Sequence, residues 1–412
     1  MAESSTNERV ITRGEQMLAL RRRRMAASHP FFRGGFRPFF FGGAAWALIA
    51  LSLWICTLTG EISLPAALDP LAWHRHEMLF GFVGAVIGGF LLTAVPNWTG
   101  RLPIAGWPLA GLFVLWAAAR AALLFSAVTG IWPAFILDVG FFLVLGLVAA
   151  REVLEAKNRN LPVVGMILLF GLADALDYLC TSGIIPAPDF GWQLAIAIVV
   201  LLISLIGGRI IPSFTRNWMA KRGVTSGLPT QPGRLDSFVI AATAVALLAW
   251  LSGPAGKPIG IVLVISALLQ VLRWVRWRGY STFADPLVLV LHVGYLWVPV
   301  GLGLLGGSLM GIVPRSAAIH ALTAGAMATI ILAVMTRASL GHTARALKAN
   351  GATVIVYLLV TAGALLRVTA SLGLIDFNRG IEIAGLAWGA GFLLFLIAYA
   401  PVLWRPRVGE AR

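Results

Sequence analysis

The chain has 412 residues, of which 59% are hydrophobic and only 12% charged, where a soluble domain carries about a quarter. A water-facing surface cannot be covered from that composition, so a soluble globular enzyme is excluded and most of the surface must face lipid. Lys and Arg outnumber Asp and Glu by 32 to 17, and in such a chain the places of the cations between apolar runs matter more than their number.

The segment 1–38 carries Arg9, Arg13 and Arg21 to Arg24 and runs into the first apolar stretch without a small-residue cleavage site, which predicts a retained cytoplasmic tail. Apolar stretches bounded by Pro, Gly and charge then predict helices at 39–58, 76–96, 106–126, 131–150, 162–184, 190–212, 235–252, 257–275, 286–307, 317–337, 352–373 and 381–404. The expected fold is all-α, a polytopic bundle of about twelve transmembrane helices over 39–404, followed by a cytoplasmic tail at 405–412. Arg75, Lys257, Arg315 and Arg379 occupy one set of connections, while Arg120 and Arg367 fall inside helices. Every other Lys and Arg lies in the tails or in the alternate connections, a bias that puts both termini in the cytoplasm.

The ends of the second, sixth and tenth helices echo one another. They read Ala94-Val-Pro-Asn-Trp-Thr-Gly-Arg101, Ile210-Ile-Pro-Ser-Phe-Thr-Arg-Asn217 and Ala333-Val-Met-Thr-Arg-Ala-Ser-Leu-Gly-His342, each about 120 residues from the last. That interval is four helices with their loops and suggests three four-helix units, against the two halves of six common among transporters.

Cys56 and Cys180 both sit in apolar runs, so neither a disulfide framework nor a cysteine metal site is available. The six histidines are more informative. His76 at the mouth of the second helix and His320 one turn into the tenth share a level near the outer boundary, and two imidazoles on facing helices suit the two sides of a haem. The glycines after His76 (Gly81, Gly84, Gly88, Gly89) would leave room for a macrocycle or serve ordinary packing. His74 stands two residues from His76, roughly 200° round the axis, so the pair cannot serve one metal. His74 and Met78, one turn apart, could together bind cuprous copper. His292, two turns into the ninth helix from the inner side, is a further metal candidate, whereas His29 and His342 read as helix-end residues.

Arg120, Asp138, Asp174, Asp177 and Arg367 fall within apolar helices, where ionisable groups turn to the bundle interior. Arg120 and Asp138 read as an ion pair, and Asp174 and Asp177, three apart, share a face suited to a proton relay or to an arginine. Arg367 and Arg75 are candidates for haem propionates. No phosphate-binding loop, dinucleotide fingerprint or Cys-x-x-Cys-His attachment is present, so any haem is non-covalent.

Four blocks in order carry a resemblance: His29-Pro-Phe-Phe-Arg-Gly-Gly-Phe-Arg-Pro-Phe-Phe40, Trp73-His-Arg-His-Glu-Met-Leu-Phe-Gly-Phe82 continuing to Gly100, Gly207-Gly-Arg-Ile-Ile-Pro-Ser-Phe-Thr-Arg-Asn217, and His320 through His342. With these the chain resembles the NnrS family of bacterial membrane proteins. The resemblance implies a twelve-helix inner-membrane protein containing haem and copper, tied to nitric oxide tolerance, nitrosative stress and denitrification. A looser similarity to haem–copper oxidase subunit I rests on histidines in the second and tenth helices. It fails at the sixth helix, which has Gln193 but no histidine, and at the seventh, which lacks a His-His pair.

The resulting expectation is a haem b and copper protein that senses, binds or removes nitric oxide, with His76 and His320 as axial ligands. Its partners are then nitric oxide, membrane lipid and an unidentified electron donor, with no nucleic acid. The alternative is a proton-coupled transporter of a small molecule or metal ion using Asp138, Asp174 and Asp177, and a membrane scaffold is a third reading.

Overall fold

A computed structural model describes residues 12–253 and 256–410; Arg9 and the last residues of the C-terminal tail lie outside them. Among the described residues, twelve helices are long and apolar enough to cross a membrane: Phe36–Leu58, Pro70–Thr99, Trp107–Leu124, Ile131–Glu155, Leu161–Thr181, Phe190–Lys221, Arg234–Leu251, Lys257–Val275, Pro286–Leu309, Arg315–His342, Gly351–Ser371 and Phe377–Trp404. They are called the first to twelfth spans below. Ahead of them, the basic tail forms a helix over Arg13–Ala26.

Local chemistry sets the span ends. Asp69 caps the second span by accepting from the amides of Leu71 and Ala72, with Pro70 at the first helical position where no amide hydrogen is needed. The ninth span repeats this with Asp285 and Pro286. At its far end the second span is closed by Gly100 at φ 68°, a left-handed conformation that favours glycine. Pro96 and Pro212 do not end their helices, so the sixth span runs to Lys221, past its predicted limit, and the second runs to Thr99 and also starts earlier than predicted, at Pro70.

The second, sixth, ninth and tenth spans are 67–72% buried, against 33–39% for the others except the fifth, so these four form the interior. Leu143, Leu248, Leu268, Leu358 and Leu386 project outward, as lipid-facing residues do. Consecutive spans pack as antiparallel neighbours, and the twelfth returns against the first. The first sequence block makes that closure: Arg37 Nη1 donates to the carbonyls of Leu403 (2.7 Å) and Arg405 (2.6 Å), and Phe31 stacks on Trp404.

Each of the three echoing spans contains a π-helical segment: Glu77–Val83, Ile203–Gly207 and Ala321–Met327. A π turn frees backbone carbonyls and often marks a functional position. Here the Trp116 indole donates to Gly81 O (2.9 Å) and Arg273 Nη1 donates to Ser204 O (2.8 Å).

Candidate functional site

A cavity of about 430 Å³ opens at the face where the even-numbered spans begin, walled mainly by apolar side chains of the first, second, sixth, tenth, eleventh and twelfth spans. His74, Arg75 and Met78 enter it from the second span, Arg315, His320 and Met327 from the tenth, and Arg367 from the eleventh. His74 lies flat on Trp54, with ring centroids 4.6 Å apart and planes at 16°, and its buried Nδ1 has no hydrogen-bond partner.

His320 stands at the junction of helix and π segment. Its Nδ1 is 2.8 Å from Ser316 O, and a carbonyl only accepts, so Nδ1 carries the proton. The Nε2 of the neutral ring is then a lone-pair donor in a fixed orientation, the state in which imidazole binds a metal. Arg367 Nη2 reaches the Ser316 hydroxyl (3.3 Å), which joins the tenth and eleventh spans beside it.

The rim is an ion-paired cover. Arg315 donates to Asp189 (2.9 Å), Arg75 lies 3.8 Å from the same carboxylate, and both guanidinium groups rest on the Trp192 ring. Burial would raise the Asp189 pKa, but hydrogen bonds from Arg315 and Trp192 and the charges of both arginines hold it below the ordinary value.

His76 is not in this cavity. The expectation that His76 and His320 face each other across one ring is corrected by the helix period: two residues beyond His74, the His76 side chain turns away into a buried cluster shared with the fourth and fifth spans. Its Nδ1 is 3.0 Å from Asp177 Oδ2, and its Nε2 is 3.1 Å from Asp138 Oδ2 and 3.4 Å from Asp174 Oδ1. Arg120 pairs with both Asp138 and Glu77, and Trp46 also donates to Glu77 (2.6 Å). Thus Arg120 and Asp138 pair, and Asp174 and Asp177 share a face, as expected. Glu77, Trp46 and Tyr178 complete the cluster and were not anticipated; the only sequence signal was an acid next to His76 in an apolar run.

His292 lies apart from both groups. The Thr215 hydroxyl donates to Ile211 O (2.9 Å), so His292 Nε2, 2.8 Å away, donates to Thr215 Oγ1. Its other nitrogen, Nδ1, is buried without a hydrogen-bond partner, but the ring stands away from the other candidate ligands. His29 accepts from Phe31 N at a helix start, as its sequence position suggested. The glycines after His76 make no room for a ring: Gly84 sits on Phe142, and a Cβ on Gly89 would come 2.9 Å from Phe39 Cβ. The structure therefore brings His74, Met78, His320, Arg75 and Arg367 together and places His76 and His292 elsewhere.

Fold and site define a polytopic membrane protein with two histidines lining an apolar cavity and a separate buried acidic cluster. The family model for NnrS protein matches residues 30–407, so the chain belongs to the NnrS family. Members of that family are associated with the nitric oxide response and bind metal or haem cofactors in general. No curated protein matches the chain.

Proposed function

We propose that this chain is a bacterial inner-membrane protein of the nitric oxide response, with both termini cytoplasmic, that holds a non-covalent haem b in the cavity between the second and tenth spans. The observation that carries the reading is that His74 and His320, on different spans, line one apolar cavity of about 430 Å³ with three guanidinium groups. The donor set fits the group: His320 has Nδ1 committed to Ser316 O, His74 has an orphaned buried nitrogen, and Arg75, Arg315 and Arg367 match anionic propionates. Met78 and Met327 are the soft donors that the cavity offers to copper.

A haem held there would supply one-electron chemistry and a coordination position for which a diatomic gas competes with a histidine. The chain's own residues do the rest. The Ser316 carbonyl sets the His320 ring, Trp54 holds the His74 ring flat, the apolar wall limits water, and the Arg75–Asp189–Arg315 cover controls entry. Nitric oxide and an electron donor are the partners this reading requires.

The test is an absorption spectrum of detergent-purified protein, oxidised, reduced and then exposed to nitric oxide. A b-type spectrum is expected, lost in His74→Ala and in His320→Ala and kept in His76→Gln. Full haem in both alanine variants would overturn the assignment. A colourless, metal-free, folded protein would instead favour the proton-coupled transporter, for which the buried Asp138, Asp174 and Asp177 are the relevant observation.

A further inference from the structure

The acidic cluster behind the cavity is not explained by the haem reading. Four carboxylates, Glu77, Asp138, Asp174 and Asp177, are buried there against two guanidinium groups, Arg120 within the cluster and Arg75 at its edge, 3.9 Å from Asp177. With His76 neutral two negative charges are in excess, and with His76 protonated one still is, at a depth where an unpaired charge is costly. The hydrogen bonds are also incomplete. Neither oxygen of Asp174 has a hydrogen-bond partner, and Asp138 Oδ1 and Asp177 Oδ1 have none either, although all are shielded from solvent. Buried carboxylate oxygens are almost always satisfied, so such a set points to an absent positive group.

His76 indicates where that group sits. If Nδ1–H donates to Asp177, the Nε2 lone pair points at two carboxylates, 3.1 and 3.4 Å away. Three acceptors facing one another are repulsive unless a proton or a metal ion lies between them, and a proton on Nε2 would still leave Asp138 Oδ1 and both oxygens of Asp174 without a hydrogen bond. Ligand atoms about 2.0–2.2 Å from a shared ion lie roughly 3.0–3.5 Å from each other at octahedral or tetrahedral angles, which matches these spacings.

We propose that His76, Asp138 and Asp174 form a divalent-cation site, with Asp177 as the positioning residue that holds the imidazole through Nδ1. One imidazole and two carboxylates make a nitrogen–oxygen donor set suited to zinc, ferrous iron or manganese and poorly suited to cuprous copper. A divalent ion also cancels the excess charge. The ligands come from the second, fourth and fifth spans, so the ion ties these spans together, and Arg75, between Asp177 and Asp189, marks the way in from the rim.

The test uses full-length protein purified in detergent, stripped with chelator and dialysed against Zn²⁺ alone or Co²⁺ alone. Metal content and the Co²⁺ ligand-field spectrum are read beside haem content on the same samples. One ion per chain is expected in the wild type, with stoichiometric binding lost in Asp174→Asn and in His76→Gln. Asp177→Asn should bind about 10–100-fold more weakly. Haem content and elution profile should not change in Asp174→Asn, which separates failure of this site from failure of the haem reading or of folding. Two results would overturn the proposal: folded wild type without bound metal, or a protonated-acid infrared band that Asp174→Asn removes with no change in metal binding.

Discussion

The interior holds two buried arginine networks, and they differ in whether they are closed. Around Arg273, Nε donates to Asp236 (2.7 Å) and Nη1 reaches Ser204 O, Ser204 Oγ and Tyr295 Oη, while Gln270 bonds Ser204, Thr243 and Tyr295. One cation faces one carboxylate, with Arg276 nearby, and every partner is used. Around Arg120 the acids outnumber the cations and Asp174 is left without a hydrogen bond. Both arginines pack against a glycine at a π segment, Gly208 just after one for Arg273 and Gly81 within one for Arg120, where any Cβ would collide with the guanidinium or its carboxylate. The same local device thus supports two outcomes: a closed network ties spans together, and an open one leaves donors for a ligand.

Breaking the closed network should have the largest effect on stability. In Arg273→Leu, Asp236 and the Ser204 carbonyl lose their partner in a buried setting, and removal of one member of such a pair costs about 3–5 kcal/mol. Thermal unfolding in detergent should move down sharply, and an unchanged midpoint would show that this network is not structural. Asp174→Asn, tested in chelator, should do the opposite. It removes a buried charge that no hydrogen bond satisfies, so the midpoint should hold or rise by an amount worth about 1 kcal/mol. A fall as large as that of Arg273→Leu would mean that Asp174 is already compensated and would remove the distinction between the two networks.

The number of spans was legible in the sequence because each is an apolar run bounded by a Pro, Gly or acidic cap, as Asp69-Pro70 and Asp285-Pro286 show. The continuation of the second and sixth spans beyond Pro96 and Pro212 was not, because these prolines look like terminators and only packing decides that the helix continues. For the site, position along a span gives a level but not a rotation. His74 and His76 are equally deep, and which of them faces His320 depends on how the second span turns against its neighbours. The acids at 138, 174 and 177 were visible one by one as costly intramembrane charges. Their meeting on His76 is a contact between three spans, far apart in sequence, and no local pattern encodes it.

The smallest effect belongs to the rim, where the charges are half in solvent. Asp189→Asn removes the acceptor shared by Arg315 and Arg75, and with a side chain 45% exposed the stability change should stay within about 1 kcal/mol. Its consequence is access. With the cover loosened, haem should pass to an acceptor protein at most about fivefold faster, with cation content at His76 unchanged. The sign with pH follows from the depressed Asp189 pKa. The cover is complete above the ordinary carboxylate value near 4 and is lost as pH falls through the lower folded value. Acid should therefore speed haem transfer more in the wild type than in Asp189→Asn; equal acceleration in both would place the acid-sensitive group deeper, at the histidines of the cavity or the carboxylates of the open network.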